Sequence, residues 1–125
     1  SFKDININFK KHPVTGDLVV NRDASAIKQA IVNLLLTNKG ERPFNPDYGS
    51  NIRSYLFEPL DFGTASQIQL SIEATIAEFE PRIDVLEIEC FPDFDGNAFN
   101  VEMTYVIVGS DDPPVAVELV LNRTR

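Results

Sequence analysis

Apolar and polar residues strictly alternate along Ile5-Asn6-Ile7-Asn8-Phe9, which predicts a short strand with one apolar face. Pro13, Gly16 and Asp17 then mark a turn, and Leu18-Val19-Val20 offers a second short strand. The period changes after Asp23, a candidate helix cap. Ala24, Ile27, Ile31, Leu34 and Leu35 fall on one face of a helix running to about Thr37, and Asn38-Lys39-Gly40 is a suitable stop. Pro43, Pro46 and Gly49 break residues 40–50 into turns and extended pieces, with Phe44 and Tyr48 as apolar anchors. A short helical turn from Ile52 to Phe57 precedes Pro59. Thr64 with Gln67 then forms a capping-box pattern for a helix striped by Ile68, Ile72, Ile76 and Phe79.

Beyond Pro81 the pattern becomes twofold. Leu86, Ile88 and Cys90 form one alternating set; Phe99, Val101, Met103, Tyr105 and Ile107 form a second; Val115, Val117, Leu119 and Leu121 form a third. Turn residues Asp95-Gly96-Asn97 and 109–114 connect them. The predicted fold is a single α+β domain over residues 1–125. Two main helices pack on one face of a C-terminal three-stranded antiparallel meander, preceded by a short N-terminal strand or hairpin.

Three segments stand out as candidate contact sites. At Glu80-Pro81-Arg82 the proline ends a helix and stiffens a corner from which an acid and a guanidinium fork project, which suits partner binding. The Gly40-Glu41-Arg42-Pro43-Phe44 segment suits either bracing of the helices against the sheet, with Glu41 and Arg42 as an internal pair, or direct partner contact; bracing is favoured. The final strand, with Val115, Val117, Leu119 and Leu121, is expected at a sheet edge where a partner could add a strand.

Charge narrows the partners. Residues 1–62 carry eight basic and seven acidic side chains, whereas residues 63–125 carry three and twelve; between Ile83 and Asn122 there are nine acids and no base. Such a field repels phosphate backbones and argues against nucleic acid. No apolar run reaches the roughly 20 residues of a membrane span, and the opening residues do not resemble a secretory leader, so a cytoplasmic site of synthesis is expected. One cysteine, Cys90, and one histidine, His12, leave no basis for an internal disulfide, a Cys/His zinc site or a Ser-His-Asp arrangement. Asp93-Phe94-Asp95-Gly96-Asn97 resembles the start of a calcium loop, but Thr104 stands where the closing Glu belongs, so a hairpin turn is expected. No metal or cofactor is predicted.

Gly40-Glu41-Arg42-Pro43-Phe44 continuing into Pro46-Asp47-Tyr48-Gly49-Ser50, then Leu56-Phe57-Glu58-Pro59, then Glu80-Pro81-Arg82-Ile83, together resemble the baseplate wedge or sheath-initiator family of contractile phage tails, with relatives in type six secretion machines. The likeness covers about residues 12–108, and His12-Pro13 with Thr15-Gly16-Asp17 is similar to the opening of many phage members. It implies a structural subunit near the central tube, in six copies, that binds baseplate wedge proteins through Glu80, Pro81 and Arg82. It also implies that the subunit offers tail sheath protein its first docking surface, with tube or hub proteins as further candidate partners. The implied location is the virion's tail baseplate, assembled in the host cytoplasm; a secretion-system subunit is the alternative setting.

Members of this family are often called tail or acidic lysozymes, so a peptidoglycan hydrolase is the other alternative. A glycosidase needs a carboxyl group in apolar surroundings and a second carboxylate roughly 5–10 Å away. Glu41, Asp47, Glu58 and Glu80 are the candidates, but Glu41 abuts Arg42 and Glu80 lies near Arg82. The chain has no Trp for a sugar platform, and its net charge of −8 disfavours an anionic wall. No enzymatic activity is predicted.

Overall fold

The computed structural model describes residues 5–10 and 22–123, with side chains over residues 26–123. The expected second strand at Leu18-Val19-Val20, the turn before it and the side chain of Asp23 lie outside the described parts. The elements are β1 (Ile5–Lys10), α1 (Arg22–Leu36), α2 (Ile52–Tyr55), α3 (Phe62–Phe79), β2 (Ile83–Asp93), β3 (Ala98–Ile107) and β4 (Val115–Asn122). This is the expected α+β architecture, with the helices packed against an antiparallel sheet.

Helical spacing and strand alternation converge on one core. Ile27, Ile31 and Leu35 of α1 and Ile68, Ile72 and Ile76 of α3 are buried with Phe99, Val101, Met103 and Tyr105 of β3 and Val117, Leu119 and Leu121 of β4. Each such fully buried aliphatic side chain contributes about 1.5–3 kcal/mol of transfer free energy. Removing one would cost more through the cavity left behind.

The start of α3 differs from expectation. Its cap is Asp61, whose Oδ1 accepts the Thr64 backbone N–H at 2.8 Å, so the helix begins at Phe62 and Thr64 is buried inside its first turn. Asp61 is extended (φ −147°, ψ 175°), which brings its side chain into reach of the first turn's orphan N–H groups. The Thr64 backbone donor, followed by its side chain, holds the Asp61 carboxyl below its ordinary value.

The sheet order is β1-β4-β3-β2, with every pair antiparallel. This corrects the placement of the last strand. Val115, Val117, Leu119 and Leu121 do not form an edge: Val117, Leu119 and Leu121 pair with Phe9, Ile7 and Ile5 on one side and with Met103, Val101 and Phe99 on the other. Val115 pairs with Tyr105. β1 supplies the hydrogen-bonding partners that β4 would otherwise lack, and among the described residues the edges are β1 and β2.

β2 also departs from simple alternation. Val85 pairs with Tyr105 and Glu87 with Thr104, so Leu86 is an extra residue in a bulge and is 54% exposed. The bulge shifts the inward set from Ile83 and Val85 to Ile88 and Cys90. On the opposite face Glu89, Glu102 and Glu118 stand in register across three adjacent strands. Residues Asp93–Asn97 form the expected hairpin turn: Asn97 takes φ 51°, and Asp93 Oδ1 accepts the Gly96 N–H at 3.1 Å.

Candidate docking corner and loop

Glu80, Pro81 and Arg82 join α3 to β2. The Glu80 N–H still donates to the Ile76 carbonyl at 2.8 Å, but Pro81 cannot extend the ladder, and the chain turns into β2 at Ile83. The Arg82 carbonyl accepts the Val108 N–H at 2.8 Å and fixes the corner to the far end of β3. Arg82 Nε and Nη2 donate to Glu80 Oε2 and Oε1 at 2.6 and 2.9 Å, a two-point charge-assisted clasp.

The two partners are unequally placed. The Glu80 side chain is 5% exposed and that of Arg82 is 52% exposed. The carboxylate lies in the interior while the guanidinium is half exposed. Beside it, Ile27, Pro81, Arg82, Ile107 and Val108 line a groove of about 500 Å³. A charged fork is therefore held at the border of an apolar depression. Beneath the corner Tyr105 is fully buried, and its hydroxyl has no hydrogen-bond partner among the described residues. Burial, aided by the Glu80 carboxylate, pushes that phenol up to about 12.

The 40–50 loop is fixed at its neck. The Ser50 N–H donates to the Thr37 carbonyl at 2.9 Å, Lys39 N–H donates to the Ser50 carbonyl at 3.4 Å, and Ser50 Oγ donates to the Leu35 carbonyl at 3.1 Å. Gly49 has φ +124°, and a Cβ there would lie 2.5 Å from the Thr37 carbonyl oxygen. Only glycine permits that approach. Tyr48 packs edge-on against Phe79, with ring centroids 5.2 Å apart, and Arg42 stacks over the Tyr48 ring at 4.2 Å.

The predicted loop residues divide accordingly. Gly40, Glu41, Arg42, Pro43 and Phe44 are all exposed, and Phe44 is 100% exposed. Tyr48 is an anchor and Phe44 is not, because the Gly40 N–H bond to the Pro46 carbonyl closes the tip away from the core. Arg42 braces through the Tyr48 ring, in place of the expected internal pair with Glu41.

Of the carboxylates considered for glycoside cleavage, Glu41, Asp47 and Glu58 are exposed, while both oxygens of Glu80 are occupied by Arg82. Sequence reasoning missed the burial of Glu80, for which helical spacing gave a signal: it follows Ile76 by four positions on the buried stripe.

A profile of the family described as "Baseplate wedge protein gp25" matches residues 21–112, which include the corner, the loop and the α2–α3 connection. The chain belongs to this family. It is 31% identical over 107 residues to baseplate wedge protein gp25 of Enterobacteria phage T4, covering 81% of each chain. Among solved structures, its fold is similar to that of a protein from Geobacter sulfurreducens named for a tail lysozyme, with a TM-score of 0.70, 21% identity and coverage of 86% of this chain and 99% of that one. It is also similar to a chain of the anti-feeding prophage baseplate, with a TM-score of 0.63, 23% identity and coverage of 86% and 90%.

Proposed function

We propose that this wedge-family protein is a non-enzymatic structural subunit of a contractile phage tail baseplate. It joins inner wedge proteins through the Glu80-Pro81-Arg82 corner and gives the first sheath subunits a docking template. The observation that carries this proposal is the asymmetric clasp: a buried carboxylate orients a half-exposed guanidinium beside an apolar groove. A partner presenting a carboxylate or helix-end carbonyls next to an apolar ridge would engage both features without extracting Arg82 from its pair.

Sheath recruitment by strand addition belongs, in this proposal, to the outer strands of the described sheet, β1 and β2, since β4 is enclosed. Sixfold tail symmetry gives six copies, placed in the tail baseplate of a virion assembled in the host cytoplasm, with tube or hub proteins as further neighbours. Wall hydrolysis gains little support because the candidate carboxylates are either in water or occupied by a guanidinium.

Arg82→Lys tests the corner. Lysine retains a cation for Glu80 but lacks the planar fork, so the expected outcome is a near-normal melting temperature with baseplate incorporation lowered about tenfold. Normal incorporation would remove the corner from the interface. Clearing of cell-wall suspensions by the purified protein, abolished by Glu41→Gln or Glu58→Gln without a change in melting, would overturn the non-enzymatic assignment.

A further inference from the structure

The opposite end of α3 carries a second arrangement that the corner does not explain. Phe62 and Phe94 are 65% and 61% exposed, yet their rings meet edge-to-face with centroids 6.3 Å apart. Two large aromatic rings that pack on each other in water form a patch, unlike apolar residues scattered singly. Phe57, 68% exposed, belongs to the same end. Arg123 ties that end together: its N–H donates to the Asn97 carbonyl at 3.1 Å, Nη1 to Asn97 Oδ1 at 3.2 Å and Nη2 to the Glu58 carbonyl at 2.9 Å. The α2–α3 connection, the β2–β3 turn and the end of β4 are thereby gathered behind the rings.

Among the described residues the two rings are flanked by acids. Glu58 and Asp61 border the start of α3, Asp93 and Asp95 flank Phe94, and the Arg123 guanidinium donates to the Asn97 side-chain oxygen and the Glu58 carbonyl. Aromatic faces attract cations, and the aliphatic stems of Lys and Arg cover apolar surface while their heads reach nearby carboxylates. We propose that the Phe62–Phe94 patch docks a lysine- or arginine-bearing segment of a neighbouring baseplate protein. Its stems lie on the rings and its charges meet Asp61, Asp93 and Asp95. This rests on the wedge assignment and adds a second partner end, about 27 Å from the Glu80–Arg82 corner along the 18 residues of α3. A subunit with distinct contacts at both ends of one rigid helix can hold two neighbours at a set spacing.

The test uses the complete contractile particle. The Phe62→Ser/Phe94→Ser double variant should melt like the parent, since both side chains are exposed, while incorporation falls about tenfold. Asp95→Lys, which leaves the rings intact, should lower incorporation several-fold. A photo-reactive phenylalanine analogue at position 94 should cross-link, in assembled baseplates, to a segment of another protein containing Lys or Arg. Normal incorporation of the double variant, no cross-link, or cross-linking to a second copy or to a segment without Lys or Arg would overturn the proposal. If Arg82→Lys is excluded while the double variant enters normally, this inference falls and the wedge assignment stands. If both enter normally, the corner assignment falls as well.

Discussion

Both the 80–82 corner and the 40–50 loop follow the end of a long helix and rely on proline, but they fix different things. At the corner, two charged side chains are held by each other and only one reaches water. In the loop, the backbone is held at the neck while the charged tip projects. The corner therefore presents a defined donor geometry, whereas the loop presents a defined location for a segment whose tip side chains make few contacts with the fold. Order in a connector comes from where its polar groups are satisfied, and not from its proline content alone.

The strongest way to break the comparison is to remove the loop's neck. Gly49→Ala should cost about 3 kcal/mol, combining positive-φ strain with the approach to the Thr37 carbonyl, and lower the melting temperature by roughly 10 °C in calorimetry. Gly40→Ala, with φ +92° but nothing within 4 Å, should cost only about 1 kcal/mol. Equal effects would mean the neck is not the fixed point.

At the corner, Arg82→Ala strands the buried Glu80 carboxylate. Because water reaches the exposed half of Arg82, the expected loss in chemical denaturation is about 2 kcal/mol, less than for a fully enclosed pair. Tyr105 sharpens the same site in alkali. Its folded value of about 12 exceeds the ordinary 10, so its contribution is fully present below pH 10 and is lost as pH rises through about 12. Tyr105→Phe should flatten part of the alkaline fall in stability, leaving the part due to Cys90, which burial also pushes up to about 12. Phe44→Ser should have the smallest effect, within about 0.5 kcal/mol, since its ring is fully exposed.

Periodicity made the long helices and the strands legible because α1, α3, β3 and β4 each keep one apolar face. The phase slip at Leu86 was also visible in principle: Ile83 and Val85 are out of step with Ile88 and Cys90, and only an extra residue reconciles them. The capping-box pattern predicts Thr64 as the cap of α3, but the extended backbone at Asp61 places the cap three residues earlier. The position of β4 was not legible, because pairing with β1 depends on residues far apart in sequence. The end of α3 and the bend into β2 were evident from Pro81. The division into an interior acid and an outward cation required the packing of α3 against the sheet.

The pairing of β1 with β4 gives the sheet a late closing step. Ile5 meets Leu121 across nearly the whole described chain, so the last ladder forms only after both distant segments have emerged from the ribosome. Until then β1, which is made first, lacks the one strand it pairs with in the described sheet, and a stalled chain would be prone to clumping with its own kind.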